Sequence, residues 1–187
     1  MLRKMPVLCW QGSWSVNNRM KKDSRCDVSP PSGGFTASIR QSLEVVADGM
    51  VQQIRALQSL CDNLENVADE LAQEPDRQTC LHIARALPAA VRDAHHFEET
   101  QVFPLLKSTA RETEETLARL WLEHVADESY ADELAEALRD HVAGRGRLDA
   151  EALGYMLRGF FEGLRRHLAF ELEHVVPVLR QAAKVAR

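Results

Sequence analysis

From residue 35 onward, apolar residues recur at spacings of three and four, and no stretch alternates in the two-residue period of a strand. The first stripe, Ile39, Leu43, Val46, Met50, Ile54, Leu57, Cys61, Leu64 and Leu71, predicts a helix from about Thr36 to Ala72, ended by Glu74-Pro75-Asp76. A second helix is predicted from Arg77 to Lys107, with Pro88 and Pro104 as local kinks. A third, from Thr113 to Val142, carries Leu117, Leu120, Val125, Leu134 and Leu138 and stops at Gly144-Arg145-Gly146. A fourth runs from Asp149 to Lys184. Long helices with short connections predict an all-α fold, an antiparallel up-down four-helix bundle over residues 35–187.

Residues 1–34 have a different texture. They show no sustained period and close on Ser-Pro-Pro-Ser-Gly-Gly, which reads as a linker, so a flexible, disordered N-terminal tail is expected there. Charge divides at the same place. The tail holds six basic and two acidic residues, while the remainder holds 17 basic and 26 acidic ones. A net charge of −5 lacks the electrostatic footprint of a nucleic-acid-binding protein. The apolar runs fall short of the roughly 18–20 residues that span a bilayer, so no membrane helix is expected. Pro6 to Trp10 is too short for the apolar region of a signal peptide. Cys9, Cys26, Cys61 and Cys80 form no Cys-x-x-Cys pair and read as reduced thiols of a cytoplasmic protein.

The chemistry lies in three helical clusters. Helix two has Ala94-His95-His96-Phe97-Glu98-Glu99, followed by Val102-Phe103-Pro104. Helix three has Glu123-His124-Val125-Ala126-Asp127-Glu128, and helix four has His167-Leu168-Ala169-Phe170-Glu171, followed by His174 and Pro177. In each, a histidine precedes a glutamate by four residues: His95/Glu99, His124/Glu128 and His167/Glu171. That spacing puts both side chains on one helix face. A single such pair is ordinarily a surface pair. Three, each set in an apolar stripe, point to an interior nest of imidazole and carboxylate. Such a mixed nitrogen and oxygen set suits iron, manganese or zinc better than calcium or magnesium. Ferritin-like di-iron bundles need Glu-x-x-His on two helices, and only Glu171-x-x-His174 matches. There is no Gly-rich phosphate loop and no nucleophile elbow.

His95 to Pro104 and His167 to Pro177, with Glu123-His124 between them, resemble the hemerythrin-like HHE cation-binding domain over roughly residues 37–183. The resemblance implies a bundle around a non-haem di-iron centre, held by histidines and bridged by carboxylates. By position it makes His124 and His167 ligands, Glu128 and Glu171 the carboxylates of their helices, and His95 and Glu99 the pair from helix two. It also implies a small ligand, such as oxygen, nitric oxide or peroxide, or a role in handling iron. Two departures stand out. Helix one has no histidine and presents Met50 where a ligand is expected, so the centre would be incomplete. Glu171 lies six residues before Pro177, and the same count from Pro104 selects Glu98 and not Glu99. His96 and Glu98 therefore stay open as alternatives. A second reading is a degenerate scaffold that holds little or no metal and acts as an interaction module.

Overall fold

A computed structural model describes residues 32–73, 75–109 and 114–185. Residues 1–31, most of the segment read as a tail, lie outside the described residues. Among the described residues six α-helices make four rods. The first rod is α1 (Ser32–Glu70), prolonged by a 3₁₀ turn at Leu71–Gln73. The second joins α2 (Arg77–Phe97) to α3 (Phe103–Thr109) through a π-turn, Glu98–Val102. The third is α4 (Glu114–Val142). The fourth joins α5 (Ala150–Phe170) to α6 (Val176–Val185) through a second π-turn, Glu171–Val175. No strand occurs among the described residues. Each rod packs on its sequence neighbours, and α1 closes the ring against α5 and α6. The result is an all-α, up-down four-helix bundle in which α1 lies diagonal to α4, and α2 to α5.

Local chemistry sets the ends. Asp76 accepts hydrogen bonds from the Thr79 amide and hydroxyl, both at 2.7 Å, and so caps α2. Asp149 caps α5 by accepting from the Ala152 amide at 2.8 Å. After α4 the chain turns through Gly144 at φ 66°, where the absence of a Cβ removes the strain. The helix runs through Pro88, whereas a π-turn precedes Pro104. In that turn the Phe103 amide reaches back five residues to the Glu98 carbonyl, and the Val176 amide does the same to Glu171. The carbonyl four residues before a proline would meet its ring. For Pro104 and Pro177 those carbonyls, of Thr100 and Glu173, lie inside the widened turns.

Most of the predicted stripes, among them Leu43, Met50, Ile54, Leu64, Leu120, Leu134 and Leu138, join Ala47, Leu87, Val91, Leu157 and Leu164 in one buried core, while Val46 is only partly buried and Ala47 takes the inward position beside it. Val125, expected in it, is half exposed, because its neighbour His124 takes the inward position on α4. Trp121 and Leu122 share that outer surface. Ile39, near the start of α1, is also exposed. Polar ties between rods fix their register. Arg165 reaches Asp62 and Glu65 of α1, each at 2.7 Å. Arg92 bonds Asp132 across α2 and α4 at 2.9 Å, and Tyr130 donates to the Met156 carbonyl at 2.9 Å. Exposed pairs of this kind contribute little stability individually. The core carries the fold.

At one point the ring of Phe97 lies against the backbone of α1. A Cβ on Gly49 would sit 2.9 Å from Phe97 Cζ. On metal-free protein in urea, Leu134→Ala at a fully buried site should cost about 2–5 kcal/mol. Gly49→Ala should cost about 1–3 kcal/mol by overpacking against Phe97, while Trp121→Ala should stay within about 0.5 kcal/mol. Equal losses in all three variants would contradict this assignment of inside and outside.

Candidate metal centre

Five polar side chains are buried among the described residues, and they form one cluster: His95, Glu98, His124, His167 and Glu171, each 6% exposed or less. His95 comes from α2, His124 from α4 and His167 from α5, while Glu98 and Glu171 open the two π-turns. The His95 and His124 rings stack in parallel with centroids 3.9 Å apart, and His167 lies 5.3 Å from His124. Ligand atoms of Glu98, His124, His167 and Glu171 all fall within 4.8 Å of one another, as do those of the three histidines.

Each imidazole has a carboxylate on its outer side. His95 Nδ1 donates to Glu128 Oε1 at 3.1 Å, and His124 Nδ1 donates to Glu99 Oε1 at 3.0 Å. These bonds cross between helices: Glu99 of the second rod holds the histidine of α4, and Glu128 of α4 holds that of α2. His167 Nδ1 lies 3.4 Å from both Glu123 Oε2 and Asp127 Oδ2. An ionised carboxylate only accepts, so donation from Nδ1 turns an Nε2 lone pair inward on His95 and His124. His95 Nε2, His124 Nε2, Glu98 Oε2 and Glu171 Oε2 are buried with no hydrogen-bond partner. His124 Nε2 and Glu98 Oε2 stand 3.2 Å apart, but their alignment does not make a hydrogen bond. His167 Nε2 meets Glu171 Oε1 at 3.0 Å.

The electrostatics follow from burial and crowding. Burial, with the neighbouring His124 and His167 opposing a further charge, pushes His95 down to about 3. Burial and the adjacent Glu171 lift Glu98 to about 7, against the pull of His124. Burial also works against a charged His167, but Asp127 and Glu171 outweigh it and raise its pKa to about 10. His124 is raised for the same reason, chiefly by Glu98. Two carboxylates beside one another in an apolar interior call for a positive charge between them. Inward lone pairs of nitrogen and oxygen, without protein donors, fit a cation of the iron, manganese or zinc type. A cavity of about 360 Å³ between α4 and α5 borders the cluster at His167, which lies in its wall alongside Glu123, Asp127, Arg119 and Arg166.

Of the residues singled out from sequence, the structure brings His95, His124, His167 and Glu171 together. It sets Glu99 and Glu128 one layer out, about a third exposed, against histidine Nδ1 atoms. Glu98 turns inward and His96 faces solvent. His82 and His174 are exposed, and Met50 is fully buried. The four-residue pairing rule favours Glu99, but His95 stands three residues before the buried Glu98, whereas His167 stands four before Glu171. The signal for Glu98 is the equal six-residue count to each proline. It reappears in the buried positions 98, 102 and 106, and 171, 175, 179 and 183, which run four apart.

The family model of the hemerythrin HHE cation binding domain matches residues 46–179. Searches of curated proteins and of solved structures find no match. The matched span covers all five buried polar residues and both π-turns, and the chain belongs to the hemerythrin HHE cation-binding family.

Proposed function

We propose that the protein holds non-haem iron through His95, Glu98, His124, His167 and Glu171, and presents it to a small ligand such as oxygen, nitric oxide or peroxide. One observation carries this reading: five buried polar side chains converge, and His95, Glu98, His124 and Glu171 each keep a buried atom that no protein group satisfies. Bound iron would supply a redox-active Lewis acid with a position for the small ligand. Glu128, Glu99 and the Asp127/Glu123 pair orient the three imidazoles. The apolar core excludes bulk water, and the cavity beside His167 gives a small molecule access. Cys61 and Cys80 are buried free thiols, in keeping with a reducing, cytoplasmic setting. No helix among the described residues is long and apolar enough to cross a membrane.

Protein purified without added metal should contain iron by elemental analysis, and His167→Ala and Glu171→Ala should each remove most of it. Glu99→Gln and Glu128→Gln should keep the metal-to-protein ratio with affinity about 10–100-fold weaker, the usual effect of disturbing a carboxylate behind a ligating histidine. If Glu99→Gln empties the site while Glu98→Gln leaves it full, the roles of the two glutamates are reversed. Metal-free and iron-free wild type would leave the scaffold reading in its place.

Metal binding should also release protons. In the metal-free protein His167 is charged up to its pKa of about 10, and Glu98 carries a proton below about 7. A cation must displace both, so affinity rises with pH through this range and falls on acidification. Calorimetry in buffers of different ionisation enthalpy should give at least one proton per ion near neutrality, and more below the Glu98 value. A binding heat independent of buffer would contradict the assigned protonation.

A further inference from the structure

We infer that the centre takes one metal ion per chain, and that α1 is the wall that denies a second ion its ligands. The inference rests on the metal-binding reading above and adds the number of ions. Among the described residues, donors come from three rods only: His95 and Glu98 from the second, His124 from the third, His167 and Glu171 from the fourth. The two donor groups share His124 and His167 without merging, His95 standing apart from Glu98 and Glu171, so they are alternative shells that draw on the same two imidazoles; within each all ligand atoms lie within 4.8 Å. With metal–ligand bonds of about 2.1 Å, donors on opposite sides of one ion stand about 4.2 Å apart. Sets of this size close around a single ion. Paired ions sit about 3.5–4 Å apart, so the second needs donors of its own on the far side.

That far side is α1. The Gly49 approach to Phe97, the residue before Glu98, puts this part of α1 at the level of the first π-turn. Its inward residues there are Ala47, Met50 and Ile54, all fully buried and apolar. A thioether is a soft ligand, poorly matched to iron among imidazoles and carboxylates. Asp48, the nearest acid on this helix, is exposed, with Arg180 3.5 Å away. Nor are the outer carboxylates free to serve. Glu99 and Glu128 are held at 3.0 and 3.1 Å by the Nδ1 atoms of His124 and His95, and swinging either inward would release the histidine it orients.

The test is anaerobic titration of the metal-free full chain with ferrous ion, followed by desalting and elemental analysis, and by electron paramagnetic resonance after oxidation. The expected result is a plateau at one retained iron per chain, with the signal of an isolated high-spin ferric ion accounting for all of it. A plateau at two, with the signal abolished by coupling between the ions, overturns the one-ion inference and leaves the metal-binding reading intact. No retained metal overturns both. Met50→Leu should leave the stoichiometry and the signal unchanged, and loss of the ion in that variant would show that α1 supplies a ligand after all.

Discussion

Glu98 and Glu171 lie beside one another in the interior of a bundle whose other buried side chains among the described residues, the three histidines apart, are apolar. Removing a carboxylate from water costs several kcal/mol even after relaxation, and a second one alongside adds repulsion. Much of the surrounding arrangement answers that cost. Three imidazoles face the pair, and His167 offers a proton to Glu171 when no metal is there to offer charge. The core around the cluster supplies the stability that lets such a group persist, and the cluster in turn fixes which faces of α2, α4 and α5 point inward.

Cross-rod hydrogen bonds join fold and site. Because Glu99 steadies the histidine of α4, and Glu128 that of α2, neither helix can rotate without disturbing the imidazole of the other. The pairing of α2 with α4 is reinforced on the surface by Arg92 and Asp132, and by Arg139, which donates to the Ala84 carbonyl at 2.9 Å. Site geometry is thus set by the same contacts that set helix register. On the opposite flank, α1 contributes packing alone, and its ties to α5 run through Arg158 and Arg165 at the surface.

Much of this was legible in the sequence. Apolar spacing located all four rods within a few residues, and Glu74-Pro75-Asp76 and Gly144-Arg145-Gly146 marked two of the breaks between them. His95, His124, His167 and Glu171 stood out because three histidine–glutamate pairs at four-residue spacing, each set in an apolar stripe, do not read as surface pairs. The pattern could not say that Glu99 and Glu128 would pair across helices, since tertiary contacts carry no local signature. Periodicity also missed the π-turns, because one inserted residue looks like a small drift in a stripe. Val125 was misplaced for a related reason. Where a histidine takes the core position on α4, the apolar residue beside it is turned outward.

The π-turns have a consequence for chain length. An α-helix advances about 100° per residue, so one additional residue in a turn rotates everything beyond it by that angle. Upstream of Glu98 the buried face runs through Leu87, Val91 and His95, and downstream, past the extra residue, it continues through Val102 and Leu106. The same holds on the fourth rod, between His167 and Leu179. Deleting any one residue from Glu98–Val102 or Glu171–Val175 would therefore swing half a rod out of register, even if every ligand were kept. In these two five-residue stretches the number of residues is constrained as tightly as the identity of the glutamate that opens each one.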